Sequence, residues 1–155
     1  MSRIDDIWNA YNSRRMDEVF KIALSQYGIA EWTGDKHNPE VLKYFTECGF
    51  TAVKDDETSW CSAFVCWCMH KAGKPHTKSL AARSWLNWGE TVMDPHVGDI
   101  AVFWRNEPRA WQGHVGFYIR NSGDRVWVLG GNQSNHVCID DYPGIQLLGY
   151  RRAFV

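Results

Sequence analysis

Apolar residues in the first half of the chain recur at intervals of three and four, a spacing that predicts helices. The first predicted helix is short, and its apolar face consists of Ile4, Ile7, Trp8 and Tyr11. A second helix is expected over about 14–27, with Gly28 at its end. A third begins with Asn38 as the N-cap and Pro39 in the first turn, and Gly49 ends it.

The apolar run that follows Trp60 predicts a buried helix from about Cys61 to Gly73. Polar residues that cap helices precede it, namely Asp55, Asp56, Thr58 and Ser59. Cys61 then lies in the first turn, where unpaired backbone N–H groups and the helix dipole favour a thiolate, which is the nucleophilic form of cysteine. The pattern therefore makes Cys61 a candidate nucleophile.

The apolar spacing changes from helical to alternating after Pro95, which predicts strands. Five strands are expected, at 99–104, 114–120, 125–129, 136–139 and 147–152. Asn121–Asp124 is typical of a hairpin turn between the second and third of them. Helices followed by an antiparallel meander indicate an α+β fold with the cysteine helix packed on the sheet. The length of 155 residues predicts a single domain over 1–155.

Composition and charge exclude several classes of function. Seventeen basic and 18 acidic residues give a net charge of -1, which provides no electrostatic basis for binding nucleic acid. No segment is apolar and long enough to insert into a membrane. The N-terminus lacks the pattern of a signal peptide, so we expect synthesis in the cytoplasm. The spacing of the five cysteines does not fit a zinc site, and we expect neither a metal nor an organic cofactor.

A cysteine nucleophile needs a base within hydrogen-bond reach and a third group that orients the base. Among six histidines, only His114 begins an apolar strand, which is a rigid place for a base. Gly113 precedes it and allows a substrate backbone to approach closely. A surface or packing role is the simpler interpretation of the other five histidines.

The length of the hairpin turn decides which residue faces His114. A three-residue loop, Ser122–Asp124, places Asn132 opposite His114, so that the Asn132 amide oxygen accepts from the imidazole N–H. A two-residue loop places Gly131 there and turns Asn132 away. Both registers bury apolar residues, and the alternative that Gly-Gly-Asn-Gln is only a turn stays open.

Four motifs occur in order along the chain: Trp60–Val65 (WCSAFV), Gly98–Ile100 (GDI), Gly113–Gly116 (GHVG) and Leu129–Ser134 (LGGNQS). In this order and at these distances they resemble the NlpC/CHAP superfamily of papain-like peptidoglycan amidases and peptidases. More narrowly, they resemble a group of small single-domain proteins of bacteria and phages, and the resemblance covers about residues 22–152. It implies a papain-like fold in which N-terminal helices pack on an antiparallel sheet of about five strands.

The resemblance also implies roles for individual residues. Cys61 is expected to be the nucleophile, His114 the general base and then the acid, and Asn132 the orienting residue. Related domains often carry an acidic residue near the third position, where this chain has Gly130. The residues expected to line the substrate cleft are Glu31, Trp60, Trp111, Gly113 and Gly130. Core packing is the alternative for the tryptophans, and a surface ion pair is the alternative for Glu31.

The implied activity is a cysteine hydrolase that cleaves an amide bond in or next to the stem peptide of peptidoglycan. A phage-type lysin and an antibacterial effector delivered by a secretion system both fit, and either would act in the periplasm or cell wall. An effector would have an immunity protein as its partner. The alternatives are a transamidase that uses the same three residues and a non-catalytic module that binds cell wall or protein.

Overall fold

The computed structural model describes Asp5, residues 17–54 and residues 59–154. The first predicted helix and the predicted caps Asp55, Asp56 and Thr58 lie outside the described residues, apart from Asp5, which is helical. The elements are α1 (Glu18–Ser25), α2 (Pro39–Thr46), α3 (Cys61–Lys71), a 3-10 helix (Ala82–Asn87), β1 (Glu90–Val92), β2 (Ile100–Trp104), β3 (Gly113–Ser122), β4 (Arg125–Gln133), β5 (His136–Pro143), a 3-10 turn (Gly144–Gln146) and β6 (Leu147–Arg152).

Side-chain caps begin the first two described helices. Asp17 accepts from the Phe20 N–H at 2.8 Å at the start of α1, which ends at Ser25, two residues before the predicted end; residues 14–16 of the predicted range lie outside the described residues. Asn38 accepts from the Glu40 N–H at 2.9 Å, with Pro39 in the first turn, so the predicted start of α2 is confirmed. Both caps satisfy N–H groups that the helix itself leaves unpaired.

The helix α3 is the centre of the molecule. Its first nine residues, Cys61–Met69, are all buried, because α3 packs against α1 and α2 as well as against β3 and β4. Its N-cap is Trp60, which makes no side-chain capping bond, so the cap expected from Ser59 is not formed. Gly73 follows the helix with φ +70°, the left-handed conformation expected of a glycine that ends a helix.

All strand pairs are antiparallel, in the order β1-β6-β2-β3-β4-β5. The five predicted strands are present, which confirms the α+β fold. A sixth strand, β1, has only three residues, forms one edge of the sheet and pairs with β6. Three residues are too few to show an alternating pattern, so the sequence pattern does not predict this strand. No helix in the part of the chain that the structure describes has the length and apolar character needed to cross a membrane.

The β3–β4 hairpin combines features of both predicted registers. Its turn has two residues, because Ser122 pairs with Arg125. A β-bulge at Ile119 then shifts the pairing by one, and Tyr118 pairs with Val128. Beyond the bulge the strands therefore have the register predicted for a three-residue loop, since a bulge inserts one extra residue into one strand.

Candidate active site

Cys61 is the first residue of α3, and its side chain is 4% exposed. Burial raises the pKa of its thiol. Hydrogen bonds with the backbone of Val115 and Ser62, the positive charge of Arg105 and the Ser59 hydroxyl act in the opposite direction, but burial is the larger effect. The helix N-terminus alone therefore does not make Cys61 a thiolate in this structure.

His114 is the second residue of β3 and is 1% exposed. Its Nε2 lies 2.9 Å from Oε1 of Gln133. The Gln133 amide nitrogen donates to the carbonyls of Cys138 at 2.7 Å and Val128 at 3.4 Å, which requires its oxygen to face the imidazole. A neutral His114 then carries its proton on Nε2 and its lone pair on Nδ1.

The electrostatic surroundings keep His114 neutral. Burial and the nearby charge of Arg105 lower the pKa of His114 to about 3, although the Gln133 hydrogen bond acts to raise it. At neutral pH the imidazole is therefore uncharged, which is the form that accepts a proton from a thiol.

Two further side chains contact the imidazole. Nη2 of Arg105 lies 3.4 Å from Nδ1. The Tyr142 ring stacks on the imidazole with centroids 4.8 Å apart and an interplanar angle of 28°, and its hydroxyl lies 3.2 Å from Nε2. Burial raises the pKa of Tyr142, so its phenol is neutral. Tyr142 covers one face of the imidazole and limits its movement.

Asn132 directly precedes Gln133, yet its side chain points to the start of α3. With its amide oxygen toward the Trp60 N–H, it accepts there at 3.3 Å and donates to Oε1 of Glu31 at 3.2 Å. The same Glu31 oxygen accepts from Nε1 of Trp60 at 2.7 Å. The structure thus brings Gln133 rather than Asn132 to His114, and it places Asn132 and Glu31 at the helix N-cap.

The backbone explains this exchange of neighbouring amides. Asn132 has φ +58°, in the left-handed region, and the pairing of β4 with β5 shifts between Gly130 and Gln133. The simple alternation of side chains therefore breaks at Asn132, and Gln133 faces His114.

Two glycines allow the close packing around this pair. A Cβ on Gly130 would lie 2.6 Å from Oε1 of Gln133, so the space beside Gly130 is filled by that amide rather than open for substrate. A Cβ on Gly131 would lie 2.7 Å from Cβ of Phe64 and 2.8 Å from the Trp60 ring. Gly131 therefore lets β4 approach α3 closely.

The remaining residues predicted to line the cleft differ in exposure. Trp60 is fully buried and stacks on Tyr44 at 5.7 Å, in agreement with the core-packing alternative. Trp111 is 77% exposed on the loop between β2 and β3. Gly113 lies against the backbone of β2, where a Cβ would be 2.8 Å from the Phe103 oxygen. Substrate contacts of Trp111 and Gly113 stay predictions.

The loop between β2 and β3 is held by one arginine of the 3-10 helix. Arg83 donates from Nε to the carbonyl of Gln112 at 2.8 Å, from Nη1 to Pro108 at 2.7 Å and from Nη2 to Glu107 at 3.1 Å. These three bonds fix the loop whose first residue, Arg105, contacts His114.

A CHAP domain model matches residues 53–132, which are 80 of the 155 residues. The match includes Cys61 and His114 and ends one residue before Gln133. The chain belongs to the CHAP domain family. CHAP and NlpC/P60 proteins are usually cysteine peptidases or amidases that act on peptidoglycan. No curated protein sequence matches the chain.

The crystal structure of a protein similar to lipoproteins of the NLP/P60 family, from Staphylococcus aureus, resembles this CHAP protein with a TM-score of 0.51 at 20% identity. The match covers 89% of this chain but only 41% of that protein. At this identity the likeness shows the fold alone. It confirms the expected NlpC/CHAP fold for α1–α3 and the sheet.

Gln133 and Tyr142 are the site residues that sequence reasoning missed, whereas Arg105 begins the loop Arg105–Gln112, whose position directly before His114 predicts a role in reading substrate. Gln133 is adjacent to the predicted Asn132, and the Gly-Gly-Asn sequence before it is a signal that the strand pattern breaks there. No sequence pattern marks Tyr142, because it reaches His114 through tertiary packing.

Proposed function

We propose that this CHAP protein is a cysteine hydrolase that cleaves an amide bond in or next to the stem peptide of peptidoglycan. The observation that carries this proposal is the buried His114–Gln133 hydrogen bond next to the start of α3. The backbone of Val115, the residue that follows His114, lies close enough to the Cys61 sulfur to act against the rise in the pKa of this thiol. A thiol, a neutral imidazole and an acceptor for the N–H of that imidazole are the components that thiol-based amide hydrolysis needs.

In the proposed reaction, Nδ1 of His114 takes the proton of the Cys61 thiol while the sulfur attacks the amide carbonyl carbon. The new S–C bond makes a tetrahedral oxyanion, which backbone N–H groups at the start of α3 stabilise. The imidazolium then gives its proton to the leaving nitrogen, and the C–N bond breaks. Water, deprotonated by His114, attacks the thioester, the C–S bond breaks, and the thiol and a carboxylic acid are released.

Gln133 is the proposed orienting residue of this mechanism. Its oxygen accepts from Nε2–H of His114 and keeps the lone pair on Nδ1, where the thiol proton is taken. When His114 becomes positively charged, the same hydrogen bond becomes stronger. Because burial disfavours both charged forms, the proton moves as the carbonyl is attacked, and a stable ion pair does not precede the attack.

Asn132 and Glu31 have a different proposed role from the one their motif implied. Through Trp60 they fix the first turn of α3, on which both the sulfur and the oxyanion-binding N–H groups depend. They therefore act as positioning residues.

The test is digestion of purified peptidoglycan by the wild type and by Cys61→Ala, with the fragments identified by mass spectrometry. We expect new fragments with a free amine from the wild type and none from Cys61→Ala. Cys66→Ala is the control, because it removes a buried thiol from the same helix, where Cys66 contacts Thr77 rather than the site. Equal fragments from wild type and Cys61→Ala would contradict the proposal.

A transamidase is the second candidate, favoured by the low exposure of Cys61 and His114. A shielded thioester is protected from water and survives until an amine attacks it. The same digestion with an amine added to the reaction distinguishes a transamidase from a hydrolase, since a transamidase gives products joined to that amine. If the protein reaches the cell wall as an antibacterial effector, the expected partner is an immunity protein that covers Cys61.

A further inference from the structure

Arg105 differs in its contacts from Arg83, Arg125 and Arg152. Arg83 donates to three backbone carbonyls, and Arg125 and Arg152 form ion pairs with aspartates. Arg105 is exposed, and its Nη2 instead lies 3.4 Å from the buried Nδ1 of His114. Within residues 17–54 and 59–154 no carboxylate forms an ion pair with its guanidinium. A positive charge is thus held against a base, and no carboxylate of the described residues pairs with it.

This contact competes with the proposed chemistry. Nε2 of His114 carries the proton that Gln133 accepts, so Nδ1 offers a single lone pair. In the structure the Arg105 N–H points at that lone pair, which must be free to take the Cys61 proton. The guanidinium charge also opposes formation of the imidazolium, because like charges repel at this distance. Arg105 must therefore turn away, or be neutralised, before His114 acts as a base.

A carboxylate is the group best suited to do this. It pairs with a guanidinium through two parallel hydrogen bonds, and the pair cancels the positive charge. Because Arg105 is exposed while His114 is buried, a carboxylate that arrives with the substrate can reach the guanidinium from solvent. A neutral carboxamide of the same shape offers one oxygen and no charge, and it competes poorly with Nδ1.

We propose that Arg105 is a specificity-determining residue that binds a substrate carboxylate next to the scissile amide, and that this ion pair draws the guanidinium away from Nδ1 of His114. The preferred substrates are peptides with a free carboxylate beside the bond that is cut. This rests on the proposed cysteine hydrolase function, and it adds a substrate requirement at the same site.

The first test needs no peptidoglycan. Iodoacetate and iodoacetamide have nearly the same shape, but only the first carries a carboxylate, and both alkylate thiols. The rate of alkylation at Cys61 is measured for each reagent by peptide mass spectrometry, and the ratio of the two rates is compared among variants. We expect the iodoacetate to iodoacetamide ratio to fall about tenfold in Arg105→Ala, the size expected for loss of one partly buried charge pair.

Arg109→Ala is the matched control for this ratio, because Arg109 is an exposed arginine on the same loop. Arg105→Lys tests geometry, since lysine keeps the charge but not the two parallel donors, and its ratio should lie between those of wild type and Arg105→Ala. An unchanged ratio in Arg105→Ala, or an equal fall in Arg109→Ala, would overturn the proposal.

The second test uses two synthetic stem peptides that differ only in a carboxylate or a carboxamide beside the scissile bond. The wild type should cleave the carboxylate peptide with at least tenfold higher kcat/KM, and Arg105→Ala should lose this preference. Cleavage that depends on Cys61 but shows no preference would refute the role of Arg105 and leave the hydrolase standing. If neither peptide is cleaved but the alkylation ratios are as expected, the proposed peptide substrate is refuted and binding of a carboxylate by Arg105 is supported.

Discussion

Replacing Gln133 by alanine tests the assignment of the orienting residue most directly. The Gln133 side chain is 1% exposed, and its oxygen accepts from Nε2–H of His114 at 2.9 Å. In the reaction this becomes a hydrogen bond to an imidazolium, and bonds to charged groups contribute roughly 1.5–3 kcal/mol. Its loss from the transition state corresponds to a fall in kcat of about 10- to 150-fold.

The same substitution also destabilises the folded protein. It removes the hydrogen bonds that Gln133 makes with the Nε2–H of His114 and with the part-buried carbonyl of Cys138, although the Tyr142 hydroxyl stays 3.2 Å from Nε2. A buried polar group left unpaired costs about 1–3 kcal/mol, so urea denaturation should show a loss of that size in the free energy of unfolding. Activity must be measured where circular dichroism shows that both proteins are folded.

Gln133→Glu and Asn132→Ala separate orientation from stability. Glutamate has the same length and keeps an acceptor for His114, so it should recover most of the kcat even if its stability is reduced. Asn132→Ala removes the contacts to the Trp60 N–H and Glu31 and should affect kcat less than Gln133→Ala. If Asn132→Ala loses more kcat than Gln133→Ala, with both variants folded, then Asn132 orients His114 and the assignment to Gln133 is refuted.

Three further predictions concern the surroundings of His114. Gly130→Ala places a Cβ only 2.6 Å from Oε1 of Gln133, so the amide must shift, and the variant should lose as much kcat as Gln133→Ala and have a lower Tm. A variant with wild-type kcat would show that the amide is free to move. Acid should destabilise the wild type more than His114→Gln. In the unfolded wild-type chain this histidine binds a proton below its usual pKa of about 6.5, whereas the buried His114 of the folded protein stays neutral down to about pH 3. Stability of the wild type therefore falls with falling pH in that window, by about 2 kcal/mol more than in the variant between about pH 6.5 and 4.5, and equal pH slopes in urea denaturation would contradict this. Arg83→Ala removes three hydrogen bonds to the loop that ends at Gln112, so amide hydrogen exchange in residues 105–112 should accelerate with little change in Tm, and unchanged exchange would show that other contacts hold the loop.

The sequence located the two candidate reacting groups because each stands at a boundary that local patterns reveal. Cys61 begins a helix whose apolar run is unmistakable, and His114 lies at the start of an alternating strand. Family motifs place both within the same matched region. These are features of a few neighbouring residues, so no tertiary information is needed to find them.

The protonation state of the site required the structure. A cysteine in the first turn of a helix is expected to have a lowered pKa, since the dipole acts within that turn. In the folded protein, Cys61 is enclosed and burial raises its pKa instead. Burial depends on what packs over the helix start, and residues far apart in the chain supply that packing. A local rule therefore gave the wrong direction for this thiol.

The identity of the third residue depends on three one-residue irregularities that no alternating pattern contains. The turn has two residues, the bulge at Ile119 shifts β3 by one position, and Asn132 adopts φ +58° before β4 ends. The turn and the bulge offset each other, so pairing at Tyr118 agrees with the longer loop and would continue toward Asn132. The left-handed Asn132 then moves the amide that faces His114 by one residue, to Gln133. A prediction based on strict alternation gives the correct pairing up to the last of these irregularities, and the effects of Asn132→Ala and Gln133→Ala on kcat will test which of the two amides orients His114.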